Sequence, residues 1–213
     1  MKGLVLKDFY VMQYYKKNVL IMLAMVVVLS IVMPGGYTFA PIMLMMYMMM
    51  ISASLQTFDE RAGWDKYAAT LPCGPKAIVG ARYLFYVLAM VVFMVAGFAL
   101  GGILALVRGA EAGWLPELAA SFAVVSGLML LVLAISTPIA YKWGAERARV
   151  LMIVVMMVPY LAVILLLPYL EPFFTRIGDA NSMLLLGVAA GVFLLLFVLS
   201  FFLSARIYAK KEF

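Results

Sequence analysis

The sequence predicts an all-α integral membrane protein with six transmembrane helices, and three observations carry that prediction. Apolar stretches at residues 19–33, 37–55, 77–107, 118–141, 150–169 and 183–204 fill most of the 213-residue chain. A hydrocarbon core of about 30 Å takes about 20 apolar helical residues to cross; most of these stretches reach that length, and the first needs help from its flanks. The composition, 68% hydrophobic and 12% charged, lies outside the range of soluble domains. The third observation is the placement of charge. Of the 16 Lys and Arg, all but Arg108 and Arg176 fall in residues 1–18, 56–76, 142–149 and 205–213, or just inside the third stretch at Arg82. By the positive-inside rule this puts both termini in the cytoplasm. Runs this continuous are not the alternating pattern of a β-barrel, so helices are what satisfies the backbone in lipid.

Taken in order, residues 1–18 carry Lys2 and Lys7 without a small-residue cleavage site, and read as a retained cytoplasmic segment rather than a signal peptide. Pro34-Gly35-Gly36 makes a tight outer turn. The second stretch holds Met43, Met45, Met46, Met48, Met49 and Met50. These wrap almost round a helix, which argues against a copper(I) site in a chain with no histidine and one remote cysteine, Cys73. Packing methionine is the default reading, with Met43, Met46 and Met50 as an adaptable lining for an apolar substrate the other. The third stretch is about ten residues longer than a bilayer needs, and its first turns, through Arg82, are expected to project into the cytoplasm. Gly97 and Gly101 in it, and Gly187 and Gly191 in the sixth, permit close helix approach within a protomer or across a dimer. Residues 170–182, with Phe173, Phe174 and Arg176, form the outer loop.

Function classes narrow by what the chain lacks. It has no histidine, no nucleotide-phosphate loop and no Cys/His cluster, so no cofactor or metal is expected in this chain and no catalytic pair is evident. No stretch carries an ionisable residue near its centre, although Ser121, Ser126, Ser136 and Thr137 supply hydroxyls. A gradient-coupled transporter usually keeps such a group at the midplane; energy for uphill movement is then expected from another subunit. The net charge of +6 reads as topology with attraction to anionic membrane lipid, not as a nucleic-acid footprint.

The longest cytoplasmic loop, 56–76, contains Trp64, Tyr67 and Leu71 at spacings of three and four, rimmed by Asp59, Glu60, Arg61, Asp65 and Lys66. Thr57 or Asp59 is placed to cap a short helix, and Leu71-Pro72 to end it. An apolar stripe with a charged rim suits a protein contact, and equally an interfacial helix with its rings at the headgroups. In the loop 142–149, Lys142, Glu146 and Arg147 read as positive-inside anchoring or as a second contact.

The opening Lys2-Gly3-Leu4-Val5-Leu6-Lys7-Asp8, the loop Phe58-Asp59-Glu60 … Trp64-Asp65-Lys66-Tyr67 … Leu71-Pro72, then Ile78-Val79 and Arg82-Tyr83, and the tail Ile207-Tyr208-Ala209-Lys210-Lys211-Glu212-Phe213 resemble small bacterial ABC-2-type transporter permeases. The similar branch includes exporters of phenol-soluble modulins, and the resemblance runs end to end. It implies a single transmembrane domain over 1–213 in the bacterial plasma membrane. It also implies an elbow helix in residues 1–18, and a second permease copy or paralogue as partner. ABC ATPase subunits would bind ATP and Mg²⁺ and dock on the coupling helix. Under that resemblance Phe58, Asp59, Glu60, Trp64, Asp65, Lys66, Tyr67, Leu71 and Pro72 form the docking surface. Cys73-Gly74-Pro75 departs from the family's usual exit from that helix. The implied function is the permease of an exporter of an amphipathic or hydrophobic substrate, a peptide among them. A secondary or passive transporter, and a non-transporting scaffold or immunity protein, are the alternatives.

Overall fold

The computed structural model describes residues 2–14, 16–32, 36–109 and 113–211, with the side chains of 2, 41, 156 and 158–186 outside that description. The described residues form seven helices: α1 (Lys2–Tyr14), α2 (Lys16–Val32), α3 (Gly36–Arg61), α4 (Trp64–Ala69), α5 (Pro75–Val107), α6 (Trp114–Trp143) and α7 (Ala145–Ala209). Four segments are long and apolar enough to cross a membrane: Tyr37–Arg61, Pro75–Val107, Trp114–Trp143 and Gly187–Ala209. The pair α1–α2, bent by 66°, makes a fifth candidate.

α3 is the centre of the bundle, against α2, α5 and α6. Ala40, Leu44, Met48, Ile51 and Leu55 recur every three or four residues and are buried, the spacing that puts one stripe of a helix against its neighbours. Facing them are Val79, Tyr86, Ala89 and Phe93 of α5 and Leu118, Phe122, Met129 and Leu133 of α6. The α5 glycines make this approach possible. A Cβ at Gly97 would meet the Phe122 ring at 2.5 Å, and one at Gly101 would meet Leu118 and the Tyr37 carbonyl, each at 2.9 Å. That pair therefore packs within the protomer, whereas among the described residues nothing lies within 4 Å of a Cβ at Gly187 or Gly191.

α7 cannot be straight. At 1.5 Å per residue its length would approach ~100 Å, yet Ala145 at its start and Lys211 just beyond its end line one cavity. A Cβ at Gly127 would touch Phe193, Ser200 bonds to Ala134, and Tyr208 packs edge-on to Tyr141. These pairs keep nearly one offset, so the last third of α7 runs parallel to α6 and returns to the end where α7 began. The expected outer loop 170–182 lies in the part of α7 whose side chains are not described, and Pro34 and Gly35 of the expected outer turn are also outside the described residues.

A chain of hydroxyls fastens this return. Pro138 stands inside α6, has no N–H, and so leaves the Ala134 carbonyl without its helical donor. Ser200 Oγ donates to that carbonyl at 2.5 Å. With the one hydroxyl hydrogen of Ser200 committed, Tyr83 must donate to Ser200 (2.7 Å) and accept from Ser204 (2.9 Å). The chain Ser204–Tyr83–Ser200–Ala134 thus joins α5, α6 and α7.

At the opposite end from the α7 termini, Tyr37 donates to Glu117 at 2.6 Å. There Arg108 of α5 donates to the Ile31 carbonyl, one of the α2 C-terminal acceptors that have no helical partner.

Candidate functional site: an acidic hub at one end of the bundle

The expected docking segment splits into two elements. α3 continues through Thr57, Phe58, Asp59 and Glu60 to Arg61, so neither Thr57 nor Asp59 caps the short helix. Thr57 Oγ1 donates to the Ala53 carbonyl of its own helix at 3.0 Å. The chain turns at Gly63, left-handed at φ 63°, a conformation cheap for glycine, and α4 starts at Trp64. α4 ends at Ala69, where the Thr70 hydroxyl donates to the Tyr67 carbonyl at 2.7 Å, just ahead of Leu71-Pro72. One turn and a half is too short to hold Trp64, Tyr67 and Leu71 as one outward stripe. Trp64 packs inward against the core, Leu71 is half-buried, and Tyr67 is 60% exposed.

Three acidic residues of this segment each fasten it to a different part of the protein. Asp59 accepts from Lys7 Nζ of α1 with both oxygens at 2.8 Å and from Arg82 of α5. Glu60 Oε2 accepts from the Ala145 backbone N–H at 2.6 Å. That N–H opens α7, so the carboxylate fills the role of a helix cap and faces the positive end of the helix dipole. Gly144 provides the seat. Its φ of 92° and ψ of 163° are open essentially only to glycine, and a Cβ there would stand 2.8 Å from Glu60 Oε1. Asp65 of α4 pairs with Lys211 beyond α7 at 2.6 Å. Lys7 also stands over the Trp64 ring, 4.1 Å from its centroid, which ties α4 to α1.

The first turns of α5, expected to project into the cytoplasm, are packed against the rest of the protein: Ile78, Val79, Ala81, Arg82 and Tyr83 are all buried. The reason is charge pairing. Arg82, 6% exposed, is too costly to bury unpaired, and lies between Asp59 and Asp8, whose Oδ1 is 3.4 Å from Arg82 Nη1. Asp8 is 2% exposed. Burial pushes its carboxyl above the usual 3.8, against the opposing pull of Arg82 and Lys7. These groups, with Gln56, Tyr86 and Tyr141, surround a cavity of about 80 Å³. Gln56 donates to the Tyr86 hydroxyl at 3.0 Å, while among the described residues its carbonyl oxygen and Arg82 Nη1 find no well-formed hydrogen bond, the polar setting in which ordered water is held.

The profile of the ABC-2 family transporter protein matches residues 3–209. The chain belongs to that family. As a member of the ABC-2 transporter family it is a transport membrane subunit, and that family normally works with an ATPase subunit. No curated protein and no solved structure matches the chain.

Within this ABC-2 protein the residues singled out from sequence take two roles. Asp59, Glu60, Trp64 and Asp65 are engaged within the chain, as above. Phe58, Lys66, Tyr67 and Pro72 are exposed, as are Lys142, Glu146 and Arg147 of the second loop. Glu60, bonded at Ala145, links these two exposed sets. Met46 and Met50 are 54% and 57% exposed, Met43 is half-buried, and Met45 and Met48 are in the core. The sequence reading passed over Lys7, Asp8, Gly144 and Lys211 as site residues. The available signal was an adjacent Lys-Asp pair between the apolar Leu4-Val5-Leu6 and Phe9, which calls for partners.

Proposed function

We propose that this ABC-2 protein is the permease subunit of an ATP-binding-cassette exporter with six spans and both termini in the cytoplasm of a bacterial plasma membrane. It moves an amphipathic or hydrophobic substrate outward, works as a pair of permeases, and takes its energy from separate ATPase subunits that bind ATP and Mg²⁺. The observation that carries this reading is the hub. Trp64 and Asp65 tie the short helix α4 to Lys7 of α1 and to Lys211 beyond α7, while Asp59 and Glu60, at the end of α3 just before the Gly63 turn, hold α1, α5 and the start of α7. A push on α4 is therefore delivered at once to elements that reach through the bundle.

In that mechanism Lys66, Tyr67 and Pro72, with Lys142 and Arg147, meet the ATPase. Asp59, Glu60 and Trp64 transmit the movement, and α5 and α7 carry it to the pathway. The clustering of Lys and Arg at this end supports its placement in the cytoplasm.

The test is purification of the tagged full chain from native membranes in mild detergent. A stoichiometric ATPase is expected to copurify, and to be lost with Lys66→Glu/Tyr67→Ala, whose side chains are exposed and whose melting temperature should match wild type. Glu60→Ala should keep the ATPase but reduce substrate-stimulated hydrolysis at least several-fold. Absence of any ATPase across several detergents would overturn the proposal.

A further inference from the structure

We propose that the outer face of α1, closed on one side by Phe58, is a binding groove for one anionic phospholipid of the cytoplasmic leaflet, and that its occupancy bears on the hub through Lys7. The placement in that leaflet rests on the proposed orientation. The groove, about 520 Å³ and open, is lined by Leu6, Lys7, Tyr10, Val11, Tyr14 and Phe58. That volume is in the range of small-molecule sites, ~300–1,000 Å³.

Its exposure is unusual for a helix that flanks a span. The inner face of α1 is used in packing, through Val5, Asp8 and Met12. Yet the outer face also carries large apolar and aromatic side chains, beside the exposed Gln13: Leu6 is 52% exposed, Tyr10 61% and Tyr14 79%. A helix with large apolar side chains on both faces favours an apolar neighbour over water on the second. The 66° bend into α2 turns α1 away from the spanning direction, toward the headgroup level where tyrosines are enriched.

Charge then selects the occupant. Asp8 is the sole acidic residue among the first 58, and it is buried toward Arg82. Lys16 and Lys17, immediately past the bend, are exposed. An apolar groove on a helix that is followed in the chain by two exposed cations is complementary to an acyl chain ending in a phosphate with net negative charge. Lys7 lines both this groove and the polar cavity, and Phe58 is next to Asp59. A chain seated in the groove therefore presses α1 onto the residues that hold Asp59.

The test uses the full-length protein in nanodiscs of equal phosphatidylglycerol and phosphatidylcholine, released into native mass spectrometry. Wild type is expected to retain one phosphatidylglycerol per protomer, at least about fivefold over phosphatidylcholine, the discrimination of about 1 kcal/mol. Lys16→Gln/Lys17→Gln should lose the preference, and Tyr10→Ser should lose retention of both lipids, each with wild-type melting in detergent. Equal retention of the two lipids by wild type, or an undiminished preference in the Lys double variant, would overturn the proposal. So would efficient cross-linking between copies through Tyr10→Cys, which would make the groove a protein interface. None of these readouts involves an ATPase, so their failure is separable from failure of the exporter reading.

Discussion

Ser200 and Pro138 should be energetically coupled although they lie on different helices, and the coupling can be worked out from the structure. Pro138 deprives the Ala134 carbonyl of its helical donor, and Ser200 supplies a replacement at 2.5 Å. Ser200→Ala removes that donor and the acceptor of the Tyr83 hydroxyl together. Leaving buried polar groups unsatisfied costs ~1–3 kcal/mol, and interhelical hydrogen bonds measured in membranes average ~0.6 with a ceiling near 1.7 kcal/mol. The cost of Ser200→Ala should therefore be about 1–2 kcal/mol. In a Pro138→Ala background residue 138 regains its N–H and can satisfy Ala134 within α6. The same Ser200→Ala change should then cost about 1 kcal/mol less, the Tyr83 part alone remaining. The assay is a double-mutant cycle by SDS-induced unfolding in mixed micelles. Additivity within ~0.3 kcal/mol would refute the reasoning, since independent sites add to about that precision.

Three further outcomes follow from the hub. Gly144→Ala should destabilise by more than the ~1–3 kcal/mol of a forced glycine-only conformation, because the new Cβ also collides with Glu60; thermal melting in detergent checks it, and a change under 1 kcal/mol would contradict the capping geometry. Asp59→Asn should cost far more than Lys211→Ala. The first weakens a buried pairing of Arg82, in the class of ~3–5 kcal/mol when a partner is removed, whereas the Lys211–Asp65 pair is partly exposed and worth ~0–1 kcal/mol. Because burial raises the Asp8 carboxyl above 3.8, the folded chain binds this proton more tightly than the unfolded chain between 3.8 and the raised native value. The stability from this group is full below pH 3.8 and is lost as pH rises through the raised native value. Asp8→Asn should remove that component, so the wild-type minus variant difference in unfolding free energy should fall with rising pH over that window; a difference that rises would reverse the assignment.

How much of the site was legible from sequence depended on whether its chemistry was local. Trp64, Asp65, Lys66 and Tyr67 stood out because charge and aromatics in a break between apolar runs have few readings. Their roles did not, since a carboxylate's partner lies wherever the fold brings a donor: Asp59 finds Lys7 fifty-two positions away and Glu60 finds Ala145 eighty-five away. The helix boundary was misplaced for a related reason. Thr57 is a good cap by type, but α3 is held past it by burial of Leu55 and by Asp59 and Glu60 reaching their partners, and the break falls at Gly63, where the backbone turns left-handed.

By itself the sequence determined the class of solvent and the material of the fold. Long apolar runs can satisfy their backbone in lipid only as helices, and the ABC-2 membership of residues 3–209 follows from order along the chain. Only the tertiary structure decided which charges are spent inside the protein and which remain for a partner. Arg82 looked like a surface cation at the mouth of a span, and burial between Asp8 and Asp59 makes it the axis of the hub. Pairing of that kind depends on distance in space, and the desolvation that enforces it arises only once the helices have closed around the charge.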